Sequence, residues 1–217
     1  MSEIEDTGLK NYKTIIIGRS AVGKSTLLIR YVDGEFNPQK PTIGIDYRFK
    51  KVHHSDATFN LELWDSAGQE RYRTIVYNYF TLSKAGVIVF DLTNDDSLND
   101  AKNWLQQLVN HCGNEIPKIL LGNKSDLLTP ADLHEKLEKY KERINELKTE
   151  YNCEFFTVSA KTGENVNEAF NYLVKEIYSR NKVGQQEPPK PPQGFKLKSA
   201  YQSEIKEGKS KKKDGCC

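Results

Sequence analysis

The chain reads as an α/β domain with a six-stranded, mostly parallel sheet, one antiparallel edge strand, and helices on both faces. Three observations predict it. Short apolar runs alternate with segments of helical periodicity, the pattern of a sheet wound with crossover helices. Two neighbouring runs, Ile43–Val52 and Thr58–Trp64, alternate loosely between apolar and polar residues, and the turn His54-Ser55-Asp56 between them reads as a hairpin. The first run ends in Gly18-Arg19-Ser20-Ala21-Val22-Gly23-Lys24-Ser25, a G-x-x-x-x-G-K-S turn that leads into a helix.

In chain order, Tyr12–Ile17 is the first strand and Lys24–Asp33 the first helix, followed by the hairpin pair. Gly86–Leu92, Lys118–Gly122 and Phe155–Ser159 are short apolar runs, as expected of parallel strands covered on both faces. Between and after them, Ser97–Cys112, Ala131–Glu150 and Val166–Arg180 read as helices. In the last of these Val166, Phe170, Leu173, Val174 and Ile177 recur at helical spacing, a core stripe. Leu133, Leu137, Tyr140, Ile144 and Leu147 repeat similarly among dense charges, which suits an amphipathic surface helix better than a docking helix for a partner.

A chain of 217 residues suits one domain of ordinary size plus a tail. We divide it into an extension (1–10), a folded domain (11–180) and a disordered tail (181–217). The tail begins where Gln185, Gln186, Pro188, Pro189, Pro191, Pro192 and Gly194 replace core-forming residues; its PxxP spacing suits a semi-rigid spacer better than an SH3-type ligand. From Lys196 onward seven lysines face three acids, although the whole chain carries only +2. A slightly acidic body with a basic tail argues against a nucleic-acid partner, which would require charge on a folded face. Four cysteines suggest no disulfide framework and point to a reducing compartment, with Cys112 and Cys153 as packing residues. The acidic, polar beginning does not read as a signal peptide, and no apolar run reaches the length of a membrane span.

The glycine-rich turn has the chemistry of a phosphate cradle. Successive backbone N–H groups and a helix N-terminus converge on a polyphosphate. Ser20, Ala21, Val22, Gly23, Lys24, Ser25 and Thr26 are the candidate contacts, with Lys24 as the cation and the Ser25 hydroxyl as a Mg²⁺ ligand. Four later motifs specify the rest of the site. In LELWDSAGQE, Asp65 can hold Mg²⁺ through water, Gly68 can offer its N–H to a γ-phosphate, and Gln69 can orient the attacking water. In Asn123-Lys124-Ser125-Asp126, the Asp126 carboxylate can accept from both guanine N1–H and the 2-amino group, a pairing that adenine cannot make. Asn123 can tie the loop together and Lys124 can lie along the base. A backbone N–H of Ser159-Ala160-Lys161 can donate to guanine O6. Thr42, in Lys40-Pro41-Thr42-Ile43-Gly44-Ile45-Asp46, can reach both Mg²⁺ and the γ-phosphate, a contact released on hydrolysis. Phe36 either covers the edge of the guanine ring or caps the first helix.

The segments GRSAVGKS, PTIGID, WDSAGQE, NKSD and SAK resemble those of the Ras-like small GTPases across residues 11–180. Within that superfamily IGIDY, WDSAGQERYRTI and the Cys-Cys pair resemble the Rab family. The resemblance implies the small G domain of the P-loop NTPases, with a six-stranded mixed sheet and five helices, and a slow GTPase that switches between GTP and GDP in vesicle traffic. Its catalytic residues would be Gln69, Lys24 and Thr42, and its metal ligands Ser25, Thr42 and Asp65. It implies an exchange factor, a GTPase-activating protein, effectors, and prenylation and membrane-extraction chaperones as partners. It also implies two prenyl chains on Cys216 and Cys217, which with the basic tail would place the protein on the cytoplasmic face of an intracellular membrane, cycling with the cytosol. Arg19 and Ala21 in the phosphate loop, Thr81-Leu82-Ser83, and a longer segment between Asp126 and Ser159 depart from the usual family form. A P-loop ATPase or nucleotide kinase, or another Ras-like branch acting in signalling, is the alternative.

Overall fold

The computed structural model describes residues 9–37, 42, 45–66 and 79–183. The strands are β1 (Asn11–Ile17), β2 (Ile45–His54), β3 (Ala57–Ser66), β4 (Ala85–Asp91), β5 (Lys118–Asn123) and β6 (Glu154–Thr157). The helices are α1 (Lys24–Asp33), α2 (Asp95–Cys112), α3 (Pro130–Tyr151) and α4 (Val166–Val183), with a 3₁₀ turn at Ser125–Leu127. The strands lie in the order β2-β3-β1-β4-β5-β6. β1 runs parallel to β3 and β4, β4 to β5, and β5 to β6, while β2 pairs antiparallel with β3 at the sheet edge.

The central strands are buried on both faces because their side chains alternate between two apolar layers. Ile15, Ile17, Ile88, Phe90 and Leu120 join Leu98, Trp104, Leu105 and Leu108 of α2 and Tyr140, Ile144 and Leu147 of α3. Ile16, Val87, Val89, Ile119 and Leu121 join Leu27, Leu28 and Tyr31 of α1 and Phe170, Leu173, Val174 and Ile177 of α4. On that second face the Tyr31 and Phe170 rings stack with centroids 3.9 Å apart.

Element boundaries differ from the sequence reading where polar atoms, rather than apolar periodicity, set them. α2 starts at Asp95 because the Asn94 side chain accepts from the Asp96 N–H, capping the helix before its first apolar residue. α3 starts at Pro130, behind a capping box in which Thr129 and Asp132 bond reciprocally. β2 extends to His54, so the hairpin turn shrinks to Ser55-Asp56, with Ser55 left-handed at φ 55°. β6 ends at Thr157, and the Val158 carbonyl instead accepts the Ser125 N–H at 3.2 Å. α4 continues to Val183, past the Arg180 boundary that composition suggested for the tail. Four α-helices occur among the described residues, against the five the resemblance implies; residues 67–78, with Gly68 and Gln69, lie outside them.

The stripe of α3 turns onto the domain, with Tyr140, Ile144 and Leu147 buried and Leu133 and Leu137 packed beside them. Its polar side is tied to α2 at Asp95, which pairs with Lys136 at 2.7 Å and also accepts from Lys139 and the Tyr140 hydroxyl. These donors hold the Asp95 carboxyl below the usual carboxylate range. Cys112 is half-buried and Cys153 buried, and burial pushes both thiols up, as suits packing residues. Leu147 is fully buried. Leu147→Ala should therefore cost about 2–5 kcal/mol in urea unfolding, whereas Glu142→Ala, on the exposed side of α3, should stay within about 0.5 kcal/mol. Equal effects would place the stripe elsewhere.

Candidate functional site

The loops that follow β1, β5 and β6 all emerge at the carboxyl ends of parallel strands, the edge at which β3 also ends. The chain winds from β1 outward to β3, then crosses to β4 on the other side of β1. In open α/β sheets that reversal is where ligands bind.

The turn after Ile17 is shaped by close approach. A Cβ on Gly18 (φ 151°) would stand 2.2 Å from the Val89 carbonyl oxygen, and one on Gly23 (φ 96°) 2.4 Å from Asn123 Nδ2. Neither space admits a side chain. Ala21 is also left-handed at φ 64°, which costs about 1 kcal/mol that glycine would avoid. Because Gly23 is the N-cap of α1, no side chain caps this helix, and its first turn holds no acidic residue. α2 and α3, by contrast, are capped by Asn94 and Thr129. The uncapped N–H groups at the start of α1 are suited to an anion.

Lys24 is buried in this turn, its Nζ donating to the carbonyls of Gly18 (3.1 Å) and Arg19 (3.0 Å). Burial pushes its pKa down to about 8, with Asp65 opposing the shift. Val22 is buried, Ser20 and Thr26 are half-buried, and Ala21 is exposed. The Arg19 guanidinium lies 3.7 Å from both Asp96 and Asp100 of α2.

Beside Lys24, three oxygen-bearing side chains converge. Ser25 Oγ donates to Asp65 Oδ2 and lies 2.8 Å from Thr42 Oγ1, which is itself 3.4 Å from Asp65 Oδ2. Asp65 is buried, and its Oδ1 has no hydrogen-bond partner among the described residues. Burial raises its pKa against the pull of Ser25, Lys24 and Thr42. A buried carboxylate with one oxygen to spare, flanked by two hydroxyls, fits Mg²⁺, which takes one or two carboxylates and fills its shell with phosphate and water.

The second half of the site is built around Asn123, at the end of β5. Its Nδ2 donates to the Val22 carbonyl at 2.8 Å, and its Oδ1 accepts the Ala160 N–H at 3.1 Å. Asp126, on the 3₁₀ turn, accepts from Ser159 Oγ at 2.6 Å, and Lys161 Nζ lies 3.8 Å from its other oxygen. Ser159 Oγ also accepts the Thr162 N–H at 3.0 Å. Lys124, left-handed at φ 68°, extends its Nζ to within 2.6 Å of Asp91 at the end of β4. Phe36 is 40% exposed and belongs to neither apolar layer, so the structure gives it no role as a packed helix cap.

The structure thus brings Lys24, Ser25, Thr42 and Asp65 together, and separately Val22, Asn123, Asp126, Ser159, Ala160 and Lys161. Gly68, Gln69, Cys216 and Cys217 lie outside the described residues. Two residues escaped the sequence reading. Asp91 had a signal, being a carboxylate at the end of an apolar strand. Arg30 had none: its Nε donates to the Ala160 carbonyl across 130 positions of sequence.

A sheet of this order, with a glycine-rich phosphate turn feeding an uncapped helix and a second loop cluster at its carboxyl edge, defines a small G domain of the P-loop class. The chain matches the Ras family over residues 13–179. It is 34% identical over 206 residues to Ras-related protein RABE1e of Arabidopsis thaliana, covering 94% of this chain and 91% of that protein. It is 35% identical over 170 residues to human Ras-related protein Rab-8B, covering 78% and 79% of the two chains. With the GTP-binding protein YPT53 of Saccharomyces cerevisiae (strain ATCC 204508 / S288c) it shares 36% over 166 residues, 76% of each. The chain belongs to the Rab family of Ras-like small GTPases.

The Asn123 side chain makes two buried bonds, to the Val22 carbonyl and from the Ala160 N–H. Asn123→Ala should leave the Val22 carbonyl and the Ala160 amide unsatisfied, at about 1–3 kcal/mol each. Equilibrium titration with a fluorescent GDP should show affinity reduced at least about tenfold; unchanged affinity would mean that the three loops hold their places without it.

Proposed function

We propose that this protein is a membrane-anchored GTP/GDP switch in vesicle-mediated transport, which hydrolyses GTP slowly by itself and recruits effectors in the triphosphate state. The observation that carries the reading is the Asn123 carboxamide, which joins the phosphate turn to the two loops suited to guanine. A phosphate turn alone would serve an ATPase or a nucleotide kinase equally well. Asp126 favours guanine, since adenine would leave its carboxylate facing a lone pair in a partly buried site.

In this reading Lys24 neutralises the β and γ phosphates, and the N–H groups from Ser20 to Thr26 surround the phosphate chain. Ser25, Thr42 and Asp65 hold Mg²⁺, which supplies positive charge to the phosphate oxygens when bound. Gly68 offers its N–H to the γ-phosphate and Gln69 orients the attacking water. Asp126 accepts from N1–H and the 2-amino group, Lys124 lies along the base, and Phe36 covers the ring edge. The Ser159-Ala160-Lys161 loop donates an amide to O6. Arg19, placed beside Asp96 and Asp100, does not act as an arginine finger in cis. A GTPase-activating protein supplies that group and accelerates hydrolysis by about 10³–10⁵; an exchange factor reloads the site.

Among the described residues no helix is long and apolar enough to cross a membrane. Attachment falls instead to prenyl chains on Cys216 and Cys217, assisted by Lys209 and Lys211–Lys213 at about 1 kcal/mol each near an anionic leaflet. Prenylation and membrane-extraction chaperones would then cycle the protein between the cytosol and the cytoplasmic face of an intracellular membrane.

Single-turnover assays test the switch. Purified protein should bind GTP at least about 10³-fold more tightly than ATP and hydrolyse it far more slowly than a metabolic enzyme, and Gln69→Leu should slow hydrolysis further while sparing binding. Equal affinity for ATP would favour the ATPase or kinase alternative. Mass spectrometry of the membrane-bound pool should find both Cys216 and Cys217 prenylated; free thiols there would remove the anchor from this account.

A further inference from the structure

Arg30 lies in the last turn of α1, and its guanidinium is spread across three backbone carbonyls. Nε donates to Ala160 at 2.9 Å, Nη2 to Lys161 at 2.6 Å, and Nη1 to Gly34. Gly34 is the left-handed C-cap of α1, and its N–H returns to the Arg30 carbonyl at 3.1 Å. One planar fork therefore grips the Ser159-Ala160-Lys161 loop and the point where the chain leaves α1 toward Phe36 and Thr42.

The grip fixes a direction. In a trans peptide the C=O and the following N–H point opposite ways. With the Ala160 carbonyl held toward Arg30, the Lys161 N–H points away from it, and that N–H donates to no backbone carbonyl among the described residues. The neighbouring amides are already engaged, Ala160 N–H with Asn123 Oδ1 and Thr162 N–H with Ser159 Oγ. Gly163, at φ 87°, sits over the Arg30 stem, where a Cβ would meet Cδ at 3.5 Å. Arg30 also lines a cleft of about 530 Å³ with Asp33, Lys50 and Asn167, so its side chain can be removed without opening a hole in the core.

We propose that Arg30 is a positioning residue for base recognition: by pinning the Ala160 and Lys161 carbonyls it aims the Lys161 N–H at the 6-oxygen of guanine and ties that aim to the end of α1. The inference rests on the guanine reading above. Arginine is suited to this task because its donors form a rigid fork, whereas one ammonium cannot reproduce the three directions.

The test uses the full chain and three diphosphates: GDP, the 2-aminopurine riboside diphosphate, which lacks the 6-oxygen and with it the N1–H, and ADP. In equilibrium competition, Arg30→Ala should weaken GDP about tenfold or more and leave the 2-aminopurine nucleotide within about twofold, narrowing the preference between them by that factor while the share due to Asp126 persists; Arg30→Lys should recover little of it. Circular dichroism and the thermal midpoint of each variant are read in parallel. Equal weakening of GDP and the 2-aminopurine nucleotide, or an unchanged preference between them in Arg30→Ala, would overturn the proposal by reducing Arg30 to a general structural contact. If the unaltered protein fails to prefer GDP over ADP, the guanine reading itself falls; if it prefers GDP and the variants keep its selectivity, the role of Arg30 alone falls.

Discussion

One carboxamide sets the geometry on which the rest of the site depends. Asn123 is buried at the end of β5, where its two polar atoms are satisfied by the Val22 carbonyl and the Ala160 amide. Those two groups lie on loops separated by more than half the chain. Burial forces the bonds to be made, and making them brings the loops to one register. The Gly23 approach follows from the same contact, since a side chain at that position would collide with Asn123 Nδ2. Phosphate-side and base-side chemistry are thereby held at a fixed separation by an atom pair that touches the rest of the sheet through β5.

Around that fixed point the protein leaves deliberate electrostatic imbalance. α1 begins without a side-chain cap, Lys24 is an ammonium among carbonyls, and Asp65 is a carboxylate with an oxygen to spare. Elsewhere the same kinds of groups are paired: Asp95 is held by Lys136, Lys139 and Tyr140, and the starts of α2 and α3 are capped. The contrast lies within one chain, so it reflects position and not composition. At the carboxyl edge of the sheet the start of α1 and the spare oxygen of Asp65 are open to a partner of complementary charge, while Asp95 and the caps of α2 and α3 are completed within the chain.

The fold was legible because the layers are made by alternation. Ile15, Ile16 and Ile17 point to opposite faces in turn, and the helical stripe from Val166 to Ile177 has only one apolar surface to cover. Boundaries were less legible, since the starts of α2 and α3 are set by Asn94 and Thr129, polar residues outside the apolar pattern. At the site, residues that carry their chemistry in a local motif were readable: the Lys24-Ser25 pair, Asp65, and the span from Asn123 to Asp126. Their mutual distances were not, because Ser25, Thr42 and Asp65 meet only once the sheet has formed. Arg30 shows the limit most clearly. An arginine in an amphipathic helix has every reason to be a solvated face, and only the turn of the chain after β6 places carbonyls in front of it.

The burial of Lys24 and Asp65 also bears on how long a copy of this protein survives. Any ligand that binds the native chain and not the unfolded one adds to stability by mass action, about 4 kcal/mol when present at a thousand times its dissociation constant. For a domain whose total margin is about 5–15 kcal/mol, that is a large share. Abundance is then coupled to nucleotide supply, and a molecule that has released one nucleotide without gaining the next is the form most exposed to proteolysis.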